Sequence, residues 1–254
     1  MTATRYVTPF REGGSVPGLV EADDDGLYVV KWRGAGQGVK ALIAELVVGE
    51  IGRSLGLPVP EIVLVELDPR LAAAEPDAEI HALLEGSGGL NVGLDFLPGA
   101  LAWSPVADRA PEPSLAAEVV WFDAFVTNPD RSPRNANILS WHDGLWLIDH
   151  GAALYIQHTW RDPERHARQP FPRTRDHILL PFAGPLAEAD AHLAPLLTPE
   201  LVDEIVGLVP DVWLLEDGRF PDASAARRAY VEYLLGRLRP PRPFLRDHED
   251  GRAA

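Results

Sequence analysis

The sequence predicts an α+β fold in which strands gather in the N-terminal part of the chain and helices in the C-terminal part. Three observations carry this expectation. An alternating apolar run, Leu27–Trp32, is followed by a helical pattern over Val39–Leu55 and an extended run, Pro58–Leu67. An Asp-Gly pair sits between two short apolar runs, Ile138–Trp141 and Leu145–Ile148, which is a strong β-hairpin signal. Beyond the hairpin, Leu186–Leu208 and Ser224–Leu238 repeat apolar residues at helical spacing. With 254 residues and 46% hydrophobic content, the chain can bury the core of one large domain or two lobes.

Taken in order, the chain first offers Phe10–Gly18, a glycine-rich stretch before the first alternating run. Glycine permits close backbone approach to phosphates, so Gly13, Gly14 and Gly18, with Ser15 among them, are candidates for a phosphate-covering loop; an ordinary turn is the competing reading. In Leu27–Trp32, period-2 alternation puts Leu27, Val29 and Lys31 on one face and Tyr28, Val30 and Trp32 on the other. A lysine on an apolar strand face calls for an edge position or a partner. The helix over Val39–Leu55, ended by Gly56 and Pro58, groups Ala41, Glu45, Val48, Gly52 and Leu55 on one face. That face is apolar except for Glu45, whose carboxylate needs a positive partner if buried. Glu50, three residues before Arg53, is satisfied by a surface pair.

Pro58–Leu67 reads as a strand, Asp68–Glu79 as a solvated connection, His81–Leu84 as a short strand, and Gly86–Gly99 as an extended segment ending in a loop. Ser114 is a good N-cap for a helix to about Thr127. Within it Asp123 shares a face with Val119, Val120 and Val126 and reads as a structural acid that holds loop backbone. His158, His166 and His177, with arginines between them, match no metal-ligand spacing and read as exposed loop residues. Arg237–Pro243 is a proline-rich end followed by a polar tail.

The hairpin organises the middle of the chain. Its closure places Asp149 opposite Asn137 or Ile138, beside the loop Asp130–Asn137. One Asp and one or two Asn entering the hairpin, with a second Asp leaving it, form an oxygen-rich cluster suited to Mg²⁺. Asp130 followed five residues later by Asn135, then the hairpin, then Asp149-His150-Gly151, resembles the catalytic loop and metal-binding aspartate of protein-kinase-like enzymes. The run NPDRSPRN…LIDHG is most similar to the HipA-like kinases, and the resemblance covers about residues 10–155.

That resemblance implies a two-lobed protein-kinase-like fold, with a β-rich nucleotide-binding lobe over residues 1–98 and a mainly helical catalytic lobe over 99–254. It implies ATP- and Mg²⁺-dependent phosphoryl transfer to a hydroxyl, that of a protein serine or threonine or of a small metabolite. Asp130 would accept the hydroxyl proton. Lys31 would reach the α- and β-phosphates, held by Glu45. Asp149 and an asparagine would hold Mg²⁺: Asn135 has the right spacing from Asp130 and is preferred, while Asn137 lies nearer the hairpin. The backbone of Asp95, Phe96 and Leu97 would face adenine. The chain departs from the wider pattern in carrying Pro129 before Asp130 and Asp-His-Gly where Asp-Phe-Gly is usual. A catalytically weak nucleotide-binding module is therefore the alternative. A metal-dependent hydrolase using Asp130, Asp149 and His150 leaves Lys31 and Glu45 unexplained.

Composition narrows the partners. Lys+Arg 23 against Asp+Glu 38 gives a net charge of −15, which argues against a nucleic-acid surface built on clustered cations. It leaves ATP open, which needs only a few local cations. Zero cysteines exclude disulfides and thiolate metal sites. No apolar segment approaches the roughly 20 residues that span a bilayer, and the first residues lack the apolar core of a signal peptide. The expectation is a cytoplasmic protein without membrane or nucleic-acid partners. No DNA-binding companion is visible, so a toxin–antitoxin role is not supported.

Overall fold

A computed structural model describes residues 1–10, 16–36 and 38–248. The fold starts with five antiparallel strands: β1 (Ala3–Pro9), β2 (Gly18–Ala22), β3 (Leu27–Lys31), β4 (Ile62–Leu67) and β5 (Gly89–Asp95), in the spatial order β1-β2-β3-β5-β4. Helix α1 (Gly38–Ser54) enters between β3 and β4 and covers one face of this sheet, packing on Ile62, Val92 and Leu94. The other face, carrying Val20, Tyr28, Val30, Trp32 and Val65, is closed by a 3₁₀ turn at Pro69–Ala74 and by α2 (Ala78–Glu85). The alternation read along β3 thus decides which side chains meet α1. Tyr28, Val30 and Trp32 point away from it, and Lys31 points toward it.

Helix α1 is apolar nearly all round, as a helix buried on several sides must be. Eleven of its residues are buried, Glu45 among them. Its end follows the expected signal. Gly56 adopts φ +76, its N–H reaches Arg53 O, and the Leu57 N–H reaches Gly52 O at 3.0 Å, the hydrogen-bond pattern of a Schellman cap.

Several elements differ from the expectation. His81–Leu84 is not a strand but the centre of α2, because Asp77 caps that helix, its carboxylate accepting from Glu79 N at 3.0 Å. Ile80 and Leu84 then fall one turn apart on the buried face. β4 starts at Ile62, two residues past Pro60, since proline cannot donate to a ladder. β1 and β2 have no counterpart in the sequence expectation: β1 shifts register twice against β2, and β2 is buried at four of its five residues without alternation.

Past Leu101–Ala102 (β6), helix α3 (Pro113–Phe125) begins one residue before the expected cap. Glu112 occupies the cap position without a side-chain bond, and Pro113 pre-sets the first turn. The hairpin is β7 (Ile138–Trp141) with β8 (Gly144–Leu147), and β6 pairs with β7. Its turn places positive φ on His142 and Asp143 (49 and 61), not on the glycine, the pattern of a type I′ turn.

Helices α4 (Pro163–Ala167), α5 (Leu186–Leu193), α6 (Pro199–Gly207), α7 (Asp211–Leu214) and α8 (Ala223–Leu238) complete the C-terminal part. The continuous helix expected over Leu186–Leu208 is broken at Pro195 and Pro199, and Thr198 caps its second half. Asp222 rather than Ser224 caps α8, its carboxylate accepting from Ala225 N at 2.7 Å. The proline-rich end is anchored: Phe244 is fully buried against Trp121, Phe125 and Arg237. One large core joins α1, α3 and the C-terminal helices. Among the described residues, no helix is long and apolar enough to cross a membrane.

Candidate active site

Lys31 leaves β3 toward α1, where its ammonium donates to Glu45 Oε2 at 2.7 Å and to Asp149 Oδ1. Three segments distant in sequence therefore meet on one nitrogen: a strand, a helix and the exit of the hairpin. The Lys31 side chain is 12% exposed, Glu45 fully buried and Asp149 42% exposed, so the cluster is dry on one side and open on the other. Burial would depress the Lys31 ammonium, but the two carboxylates outweigh it and raise its pKa. Burial likewise opposes the Glu45 charge, yet Lys31 and His150 prevail and hold its pKa at about 2. Both partners stay charged, which a pair this deep requires.

The hairpin entrance is tied together by Asp130. Its Oδ2 accepts from Asn135 Nδ2 at 3.1 Å and from Asn137 Nδ2 at 3.4 Å, and its backbone N–H donates to Asn128 Oδ1 at 3.1 Å. Both asparagines thus turn their amides to Asp130, which leaves their oxygens for another group. The register of the hairpin corrects the expected pairing of Asp149. Ile138 pairs with Leu147, and Ile148 N–H donates to Asn137 O at 3.1 Å, so Ile148 rather than Asp149 stands opposite Asn137. Asp149 follows one residue beyond the ladder. Asn137 and Asp149 both hold left-handed backbone, φ 49 and 60. Such conformations in non-glycine residues are uncommon and gather where a structure has to aim a side chain.

Beneath the loop lies an anchor only partly anticipated from sequence. Asp123 was read as a structural acid, and its carboxylate accepts from Arg131 Nε at 2.6 Å, Asn128 Nδ2 at 2.9 Å and His177 Nε2 at 2.8 Å. His177 Nδ1 accepts the Leu179 N–H at 3.0 Å, so the ring proton sits on Nε2, facing the acid. His177 is therefore a buried strut, not an exposed loop residue. Burial works against the Asp123 charge, but Arg131 and His177 overcome it and keep the carboxyl well below its ordinary range. Arg131 also donates to Asn137 O, which locks both ends of the loop. Arg131 carried no signal in the sequence, because a buried arginine is recognisable only once its acid is known.

The other expected positions divide. Gly13, Gly14 and Ser15 lie outside the described residues. Gly18 opens β2, and a Cβ there would stand 2.6 Å from the Trp32 ring, so close packing against Trp32 accounts for that glycine. In the segment expected to face adenine, the Asp95 N–H donates to Glu61 O at 2.8 Å and the Phe96 N–H to Leu27 O at 2.9 Å. Both are committed to the segments flanking β5, and Leu97 is the one of the three whose amide has no acceptor among the described residues. A cavity of about 330 Å³ is lined by Thr127, Pro129, Tyr155, Phe171 and Arg173 among others, next in sequence to Asp130 but not lined by it.

Among the described residues no three His, Cys, Asp or Glu side chains converge as a self-contained metal cage. The donors present, the Asp149 carboxylate and asparagine oxygens, are the hard oxygens that suit Mg²⁺ when phosphate oxygens complete its shell.

One solved structure agrees with this architecture. The crystal structure of a Helicobacter pylori proinflammatory kinase, CtkA, superposes with a TM-score of 0.60 at 13% identity, covering 96% of this chain and 94% of that one. A Golgi casein kinase structure aligns with a TM-score of 0.46 at 12% identity, covering 100% and 73%. At such identity the likeness to CtkA speaks for the fold. No curated protein sequence matches. The HipA-like kinase family model matches residues 4–242, and by that match over nearly its whole length the chain belongs to the HipA-like kinase family.

Proposed function

We propose that the protein is an ATP- and Mg²⁺-dependent kinase that transfers the γ-phosphoryl group to a hydroxyl, that of a protein serine or threonine. Residues 1–98 act as the nucleotide-binding lobe and 99–254 as the catalytic lobe. The observation that carries this reading is the junction on Lys31: a strand lysine held by a buried helix glutamate and touching the acid that leaves the hairpin.

An ammonium has three donors. Two are engaged by Glu45 and Asp149, and the third is directed at the α- and β-phosphates. Asp149 uses Oδ1 for Lys31 and presents Oδ2 to the metal, with Asn135 or Asn137 as the second ligand. Bound there, Mg²⁺ neutralises phosphate charge. The Leu97 amide faces adenine. Asp130 keeps Oδ2 on the asparagines and offers Oδ1 to the acceptor. As the bond between the γ-phosphorus and the bridging β-oxygen breaks and a bond to the acceptor oxygen forms, the hydroxyl proton passes to Asp130. The cavity beside Pro129 would seat the acceptor.

Labelled ATP with Mg²⁺ tests this directly. Transfer of label to the protein itself or to a supplied serine- or threonine-bearing acceptor is expected in the wild type. It should fall strongly in Lys31→Met and stay unchanged in Glu50→Gln, whose partner is Arg53 on the surface. Nucleotide binding without transfer to any acceptor would instead favour a non-catalytic nucleotide-binding module.

A further inference from the structure

A second cavity lies away from the phosphate-facing cluster, at the N-terminal end of α1. It measures about 170 Å³ and is walled by Val39 and Ile43 of α1 and by Trp160, Trp213, Phe220 and Tyr230. We propose that it is a regulatory site for a compact, neutral, planar aromatic molecule bearing one hydrogen-bond acceptor. Its effect on nucleotide binding rests on the reading of Lys31 and Glu45 given above; the binding itself does not.

Size comes first. An apolar cavity of about 150 Å³ is enough to take up benzene, so this one suits a single substituted ring or a small fused pair. Shape points the same way. Trp160 meets Phe220 at 5.5 Å and 79°, and Tyr230 at 4.9 Å and 89°. Rings held at right angles present both edges and faces to a flat guest.

The polar groups then select the guest's chemistry. Gln157 lines the cavity fully buried, but its side chain is occupied, receiving Tyr230 Oη at 2.9 Å and donating to Ala153 O at 3.4 Å. Trp213 is 2% exposed, and its indole N–H has no acceptor among the described residues. A buried donor without a partner is costly, and an acceptor on the guest would remove that cost. The rim charges are all engaged in ion pairs. Glu216 faces Arg33 at 2.8 Å, and Asp217 faces Lys40 at 2.9 Å and Arg219 at 3.5 Å. Neither a cation nor an anion finds an uncommitted counter-charge there.

The same ion pairs explain why the site would matter. Arg33 and Lys40 flank the turn that leads into α1, and both are tied to the connection after α7. Glu45 lies seven residues along α1 from Gly38, about 10 Å at the helical rise. A guest wedged between Ile43 and the aromatic wall braces that end of the helix and so holds Glu45 on Lys31. By linkage, nucleotide and guest should each tighten the other's binding.

The test uses the ¹⁵N-labelled full chain without nucleotide and benzamide as the probe. The indole N–H resonance of Trp213, assigned by its loss in Trp213→Phe, should shift saturably. Toluene, a similar ring without an acceptor, should bind several-fold more weakly. Filling the cavity with Ile43→Phe should abolish the shift, and Val39→Phe serves if that variant fails to fold. No shift with benzamide or quinoline, or a shift undiminished by a filled cavity, overturns the site. In the second arm, saturating benzamide should tighten Mg·ATP binding severalfold. Unchanged affinity overturns the regulatory role, whereas an absence of any Mg·ATP binding would count against the kinase reading and leave the site standing.

Discussion

His150 faces the carboxylate of Glu45 across 3.6 Å, and both side chains are completely buried. Glu45 gives Oε2 to Lys31, while its Oε1 and both ring nitrogens of His150 lack a hydrogen-bond partner at ordinary distance among the described residues. The ring meets Phe122 edge to face at 6.0 Å, so packing holds it behind the glutamate. A contraction of a few tenths of an ångström would make the contact a hydrogen bond, with His150 fixing the rotamer of Glu45 from the side opposite Lys31. His150→Leu should leave Oε1 buried without a polar neighbour, a loss of roughly 1–3 kcal/mol, read as a lower melting temperature and weaker Mg·ATP binding. His150→Gln should restore much of both. Equal behaviour of the two variants would show that the ring acts by volume alone.

The Lys31–Glu45 pair also predicts how stability depends on pH. The folded-state pKa of Glu45 is held at about 2, below the ordinary 4.5. The fold therefore favours the charged carboxylate. Its contribution is fully present above about pH 4.5 and is lost as pH falls toward 2. Asp123, shifted in the same direction, adds to this acid limb. In Glu45→Gln the protein should be less stable at neutral pH, and its melting temperature should fall less steeply between pH 4.5 and 2. An acid limb as steep as in the wild type would refute the pairing.

How far the sequence could foresee these relationships depends on whether a signal was local. The α+β class, α1 with its glycine cap and the hairpin were legible because each rests on a short pattern, an alternation, a 3.6 period or a turn dipeptide. Lys31 and Glu45 stood out because each broke an apolar face. Illegible were features defined by burial and tertiary packing and not by a short pattern: Arg131 on Asp123, His177 beneath the loop, His150 behind Glu45. α2 was misread because four apolar-leaning residues fit a strand as well as a helix, and only the Asp77 cap decides. Asp149 was placed one residue off because the turn holds only His142 and Asp143, so Trp141 pairs with Gly144 rather than Leu145 and every pair behind it shifts by one.

Removal of the charge on Asp149 tests the metal assignment. Asp149→Asn keeps a hydrogen-bond acceptor for Lys31 but removes the charged oxygen offered to Mg²⁺. Stabilisation by ATP should persist in part without magnesium, while the additional stabilisation that magnesium gives should largely vanish in thermal-shift measurements. Asn135→Ala should reproduce this loss more closely than Asn137→Ala. Asn137→Ala has a second effect, since alanine tolerates φ 49 less well than asparagine, so it should lower the melting temperature even without ligand. If Asn137→Ala alone erases the magnesium response, Asn137 is the ligand.

The sharpest test falls on Asp130. Its Oδ2 is engaged by the two asparagines and its backbone by Asn128, so the carboxylate is positioned before any acceptor arrives. A positioned base contributes typically about 10²–10⁴-fold to rate. It acts on the acceptor hydroxyl and not on the nucleotide, so its removal separates chemistry from binding. Asp130→Asn conserves shape and removes basicity. Phosphoryl transfer should drop by at least about a hundredfold while Mg·ATP affinity stays nearly unchanged, measured by turnover and titration on one preparation. Undiminished transfer by Asp130→Asn would move the base elsewhere. A parallel loss of ATP affinity would mean that Asp130 serves the nucleotide side of the cleft instead of the acceptor.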